Sequence, residues 1–125
     1  MTKKIMVAED NDQLREMIQM IIEGMDSDRS FKVSYARNGL EAYRELRSET
    51  FDVLITDINM PKIDGEALLE IKQDPHFKSH LMKVLVLAGD PKSVQHLYND
   101  DVYTLAKPFD AERFIKLLKI ILFSK

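Results

Sequence analysis

Apolar residues along this chain alternate between short unbroken runs and longer stretches with helical spacing. Lys4-Ile5-Met6-Val7-Ala8 is a run of strand length, and an apolar run without alternation suits a strand covered on both faces, as in a parallel sheet. After Glu9-Asp10-Asn11-Asp12, apolar side chains fall at Leu14, Met17, Ile18, Ile21, Ile22 and Met25. That three-and-four spacing predicts a helix with one buried stripe, capped by Asn11 or Asp12. Phe31, Val33 and Tyr35 alternate with polar neighbours, Arg37-Asn38-Gly39 breaks the pattern, and Ala42, Tyr43 and Leu46 resume helical spacing. The β-branched run Phe51 to Thr56 stops abruptly at Asp57-Ile58-Asn59-Met60-Pro61, and a helix from about Gly65 to Gln73 is ended by Asp74-Pro75, since proline lacks a backbone donor and restricts the residue before it. A fourth strand is expected at Met82 to Leu87, a short polar helix around Ser93 to Tyr98, and a fifth strand at Val102 to Ala106, closed by Lys107-Pro108. The last helix carries Phe114, Ile115, Leu117, Leu118, Ile121 and Leu122, an arc wide enough to pack on the sheet and on a partner.

Five strands alternating with five helices predict right-handed crossovers and a single α/β domain over residues 1–125, a three-layer, doubly wound (βα)5 sandwich. The strand order adopted is the flavodoxin-like 2-1-3-4-5, common for such sheets, in which ligands bind beyond the carboxyl ends of the strands, at the switch point between strands one and three.

Composition narrows the chemistry. The chain has 125 residues, with 18 Lys and Arg against 21 Asp and Glu, a formal charge of −3, and no cysteine. Disulfides, thiolate metal sites and a cysteine nucleophile are therefore excluded. A mildly acidic balance argues against direct nucleic-acid binding. No stretch approaches the ~20 apolar residues of a membrane span, and the start of the chain lacks a signal-type apolar region. The expectation is a cytoplasmic protein with no membrane insertion.

On the expected frame, Glu9 and Asp10 follow strand one, Asp57 follows strand three, Ala88 to Asp90 follow strand four and Lys107 follows strand five. All fall at one edge. Adjacent strands are about 4.8 Å apart, so Asp10 and Asp57 should nearly meet. Two carboxylates at ~4 Å repel by about 1 kcal/mol in water and nearer ~4 kcal/mol at an effective dielectric of ~20. A hard divalent ion, most simply Mg²⁺, would relieve this, because it takes oxygen ligands from one or two carboxylates together with a substrate phosphate. Two strand spacings put the Lys107 backbone about 10 Å from Asp57, a gap a lysine side chain can largely cover. Carboxylate, metal and ammonium together make a phosphoryl site. His76 and His80 have i,i+4 spacing, but Pro75 sits beside them and no catalytic Glu lies between, so they read as loop residues, and His96 as a surface residue. The methionines, Met17 among them, read as gap-filling core residues.

Taken together, Val7-Ala8-Glu9-Asp10, Asn38-Gly39-x-Glu41-Ala42, Asp57-Ile58-Asn59-Met60-Pro61-x-x-Asp64-Gly65 and Lys107-Pro108-Phe109 resemble the receiver domain of two-component response regulators, in particular stand-alone receivers like the chemotaxis response regulator. The resemblance covers essentially the whole chain. It implies a phosphoacceptor signalling domain rather than an enzyme, with Asp57 taking a phosphoryl group from a sensor histidine kinase or phosphotransfer protein. It further implies that Mg²⁺ is held by Asp10, Asp57 and the backbone carbonyl of Asn59, with Glu9 acting through water. Lys107 would pair with the phosphoryl group, and its bond to Pro108 would be cis. A downstream target would read the face formed by the fourth helix, fifth strand and fifth helix, and homodimerisation stays open.

The chain departs from the family pattern at both switch positions. Receivers usually carry Ser or Thr where Ala88 stands, and Phe or Tyr where Thr104 stands. Tyr103 does not substitute for the latter, because a one-residue offset in a strand reverses the face. The implied consequence is a phosphorylatable domain whose switch is weak or routed differently, through Asp90 and the polar segment after it. Two alternatives compete: a small metal-dependent phosphohydrolase with Asp57 as nucleophile, since Asp57-x-Asn59 loosely resembles aspartate-nucleophile phosphatases, and a degenerate receiver acting only as a docking module.

Overall fold

The computed structural model describes residues 2–26, 30–90, 92, 95–96 and 101–123. Within them, β1 (Lys3–Ala8), α1 (Asp12–Met25), β2 (Phe31–Ala36), α2 (Gly39–Ser48), β3 (Val53–Asp57), α3 (Gly65–Lys72), β4 (Lys83–Ala88), β5 (Val102–Ala106) and α4 (Ala111–Phe123) follow in that order. The strands form one parallel sheet in the order β2-β1-β3-β4-β5, the expected flavodoxin-like arrangement. The helix expected at Ser93 to Tyr98 falls almost wholly outside the described residues. None of the described helices is long and apolar enough to cross a membrane.

The unbroken apolar strands are explained by two cores, one on each face of the sheet. Met6, Ala8, Leu54, Val84, Val86 and Ala88 pack against Ala42 and Leu46 of α2 and Leu68 and Leu69 of α3. The alternate residues Ile5, Val7, Val53, Ile55, Leu85 and Leu87 pack against Ile18 and Ile22 of α1 and Phe114, Leu118 and Ile121 of α4. Fully burying each large aliphatic side chain stabilises by about 1.5–3 kcal/mol. Met17 is a correction to the sequence reading: it is 38% exposed, because α1 turns Ile18 and Ile22, flanked by Leu14, Ile21 and Met25, to the core on that face of the sheet.

Each helix starts where an Asn or Asp oxygen takes an otherwise orphaned amide. Asn11, rather than Asp12, caps α1 through the Leu14 amide; Asn38 caps α2 through Glu41, and Asp64 caps α3 through Ala67, all at 2.9 Å. Asp110 accepts from the Arg113 amide at 2.8 Å. Two of the following turns allow no side chain at all. A Cβ on Gly39 would lie 1.5 Å from the Ile63 carbonyl oxygen, and one on Gly65 would lie 2.4 Å from the Asp57 carbonyl oxygen. Gly65 also donates its amide to the Ile58 carbonyl at 3.0 Å. These contacts clamp the β3–α3 loop between Asp57 and α2.

Gly39→Ala should therefore lower stability by about 1–3 kcal/mol, the usual cost of forcing atoms into packed space. Gly24→Ala should raise it by about 0.5–1 kcal/mol, because Gly24 lies within α1 with nothing within 4 Å of the added methyl. Urea midpoints at unchanged slope check both signs.

Candidate functional site

The parallel register brings the strand ends to one edge. Ala8 pairs with Thr56, Asp57 with Leu87, and Ala88 with Ala106, so Glu9 and Asp10, Asp57, Ala88 and Lys107 emerge side by side. Asp57 is the last residue of β3 itself, one place later in the strand than the apolar run suggested. Glu9, Asp10 and Asp57 each offer a carboxylate oxygen, all three oxygens lying within 4.8 Å of one another. The Lys107 ammonium reaches across β4 to Asp57 Oδ2 at 2.5 Å and approaches Glu9 Oε1 to 3.7 Å. The bond from Lys107 to Pro108 is cis.

Exposure divides the cluster. Glu9 is fully buried, Asp57 is 7% exposed, and Asp10 faces solvent. Glu9 Oε2 accepts from the Asn11 amide at 3.1 Å, and Asp57 Oδ1 from the Asn59 amide at 3.3 Å. Glu9 Oε1 is buried with no hydrogen-bond donor, a costly state for a charged oxygen. Burial pushes the Glu9 carboxyl up from its ordinary 4.5 to about 7; the Asn11 amide opposes this, repulsion from Asp57 adds to it, and Lys107 again opposes it.

Three carboxylates facing one ammonium leave a formal excess of two negative charges, the charge of a divalent cation. The donors are all oxygens, one of them buried without a partner, and Asp10 and Asn59 border an open recess together with Met60, Pro61 and Asp64. The residues thus fit Mg²⁺, which binds few carboxylates and retains several waters.

The two altered positions are also placed. Ala88 is 1% exposed at the end of β4, and Thr104, paired with Val86, lies on the same face of the sheet. Tyr103, paired with Leu85, packs into the opposite core with α1 and α4. The register runs without a bulge, so the aromatic ring does not reach the face of Ala88. The histidines stay outside the site: His96 pairs with Glu66 at 3.1 Å on the surface, and His80 meets the Phe77 carbonyl. The sequence reading missed Arg15, whose guanidinium reaches the Glu9 carbonyl at 2.9 Å and the Asp12 carboxylate at 2.5 Å. Its i,i+3 spacing from Asp12 was the available signal.

Residues 5–119 match the response regulator receiver domain family. The chain is 34% identical over 125 residues to the probable transcriptional regulator ycf29 of Porphyra purpurea, covering 98% of this chain and 58% of that protein. It therefore spans little more than half of that relative's length. It is 30% identical over 112 residues to the response regulator receiver protein CpdR of Brucella abortus, covering 86% of each. Its fold superposes on the chemotaxis response regulator CheY4 of Vibrio cholerae with a TM-score of 0.81 at 21% identity, covering 97% of this chain and 99% of that one.

The buried carboxyl has a measurable consequence. Glu9 takes up its proton near 4.5 when unfolded and near 7 in the metal-free fold, so between those values the fold holds the extra proton. The associated stability is full below about pH 4.5 and is lost as pH rises through about 7. In metal-free protein, the stability of wild type relative to Glu9→Gln should fall across that interval. A flat difference profile in urea unfolding would contradict the assigned burial cost.

Proposed function

The chain belongs to the response regulator receiver domain family, and from that premise we propose that Asp57 is the phosphoacceptor of a two-component relay, using Mg²⁺ held by Asp10, Asp57 and the Asn59 carbonyl, with Glu9 acting through water. Family membership makes this a signalling domain rather than a classical enzyme and implies a histidine kinase as its partner. The observation that carries the reading is the Lys107 ammonium resting on Asp57 Oδ2 beside three converging carboxylates.

In the proposed transfer, an Asp57 oxygen attacks the phosphorus of a phosphohistidine, the P–N bond breaks, and its electron pair returns to the imidazole. The product is an acyl phosphate. Lys107 then pairs with a phosphoryl oxygen in place of the carboxylate oxygen, so one ammonium serves both states. Mg²⁺, when bound, supplies neutralisation of the remaining phosphoryl charge. Phosphoryl transfer asks the protein mainly for position and charge, which suits a site made of fixed strand ends. Hydrolysis by water would return the carboxylate and reset the domain.

The signal is read, on this proposal, by another protein that meets β5, α4 and the segment preceding β5, with a second copy of the chain as the homodimeric form of the same contact. Ile120 and Phe123 of α4 are exposed apolar residues, 50% and 66%, and support such a surface. Ala88 offers no hydroxyl to a phosphoryl oxygen, and a hydrogen bond to a charged group contributes roughly 1.5–3 kcal/mol. The switch of this chain should therefore be weaker than one built on Ser or Thr.

Incubation with Mg²⁺ and a phosphorylated histidine kinase, or with acetyl phosphate, should add one phosphoryl group by intact mass to wild type and none to Asp57→Asn. Equal labelling of the two would overturn the acceptor assignment, and no labelling of either would leave a docking module. Ala88→Thr should enlarge the phosphorylation-dependent amide shifts around β4 and β5. Shifts of equal size in wild type and Ala88→Thr would remove the weak-switch reading.

A further inference from the structure

Arg15 stands on the first turn of α1 with its side chain only 13% exposed, and the transfer described above makes no use of it. One guanidinium nitrogen, Nη1, donates to the Glu9 carbonyl oxygen at 2.9 Å, and Nη2 donates to Asp12 Oδ1 at 2.5 Å. The Glu9 carbonyl and the Asp10 amide belong to one planar peptide unit, so holding that oxygen fixes the plane from which Asp10 departs. On the far side of Asp10, the Asn11 amide is held by Glu9 Oε2 at 3.1 Å, and the Asn11 side chain is committed to capping α1. The backbone of Asp10 is thereby gripped before and after, although its side chain faces solvent.

We propose that Arg15 is a positioning residue for the cation site: through the Glu9 carbonyl it sets the direction of the Asp10 carboxylate. The proposal rests on the reading of Glu9, Asp10 and Asp57 as a Mg²⁺ site. It differs in sign from a simple charge effect. A cation beside the cluster repels Mg²⁺, so if only charge mattered, removing Arg15 would tighten binding. If position matters, removal weakens it, and loss of such supporting contacts typically costs about 10–100-fold in metal affinity. Lysine keeps the charge but not the two-armed fork that bridges Glu9 and Asp12.

Calorimetric titration with Mg²⁺ alone, paired with amide hydrogen exchange on the metal-free protein, separates these cases. Arg15→Gln should weaken Mg²⁺ about tenfold and speed exchange of the Asn11 amide, which donates to Glu9 Oε2; Arg15→Lys should not restore wild-type affinity, and Asp12→Asn should give a smaller loss in the same direction. Arg15→Lys retains the cation, so its loss of affinity carries the test if Arg15→Gln does not fold. Wild type that binds Mg²⁺, with Asp10→Asn that does not, upholds the site; unchanged or tighter binding by Arg15→Gln with unchanged Asn11 amide exchange then overturns the role of Arg15 alone. Wild type that takes no Mg²⁺ overturns both.

Discussion

The structure turns on one electrostatic constraint: a fully buried Glu9 and a nearly buried Asp57 share a single ammonium, Lys107, at the edge of the sheet. An interior carboxylate without enough positive charge is expensive, and the sheet does not allow the groups to separate. Lys107 satisfies Asp57 directly, while Glu9 Oε1 is left without a donor. The metal-free protein answers by holding a proton on Glu9 more tightly than an ordinary carboxyl would. A divalent cation offers the alternative answer, and a transferred phosphoryl group would in turn find its countercharges already in place.

That constraint explains why so much of the surrounding backbone is fixed. The register between β1, β3, β4 and β5 determines which residues emerge together. The Gly65 backbone lies against the Asp57 carbonyl and Gly39 lies against Ile63, which ties the start of two helices to the loop carrying Asn59. Asn11, Asn38 and Asp64 close the helix starts with their own side chains. Each of these contacts is worth only about 1 kcal/mol or so. Together they hold acidic groups at distances the groups themselves oppose.

The sheet and the acidic cluster were legible in the sequence for a physical reason. Strands covered on both faces read as unbroken apolar runs, so Ile5 to Ala8 and Val53 to Ile55 announced a parallel sheet, and the polar residues ending those runs had to share an edge. The strand order was adopted from common sheets and the cis bond at Lys107 was implied by resemblance; neither followed from periodicity. Contacts made by backbone were illegible: nothing in Asn38-Gly39 names Ile63 as its neighbour, and Arg15 acts on a carbonyl rather than on a side chain. Met17 misled because helical spacing shows the apolar arc of α1 but not how much of that arc the sheet covers. The absent hydroxyl at Ala88 was plain in the sequence, and the regular register puts Tyr103 on the face of the sheet opposite Ala88 and Thr104.

The most direct test of the charge-balance account is a Mg²⁺ titration followed by backbone amide resonances in isotopically labelled protein. The account predicts saturable shifts centred on Glu9, Asp10, Asp57 and Asn59, spreading to Gly65 and Lys107 and absent from a variant carrying both Asp10→Asn and Asp57→Asn. Shifts scattered over the acidic surface, or persisting undiminished in that variant, would contradict it.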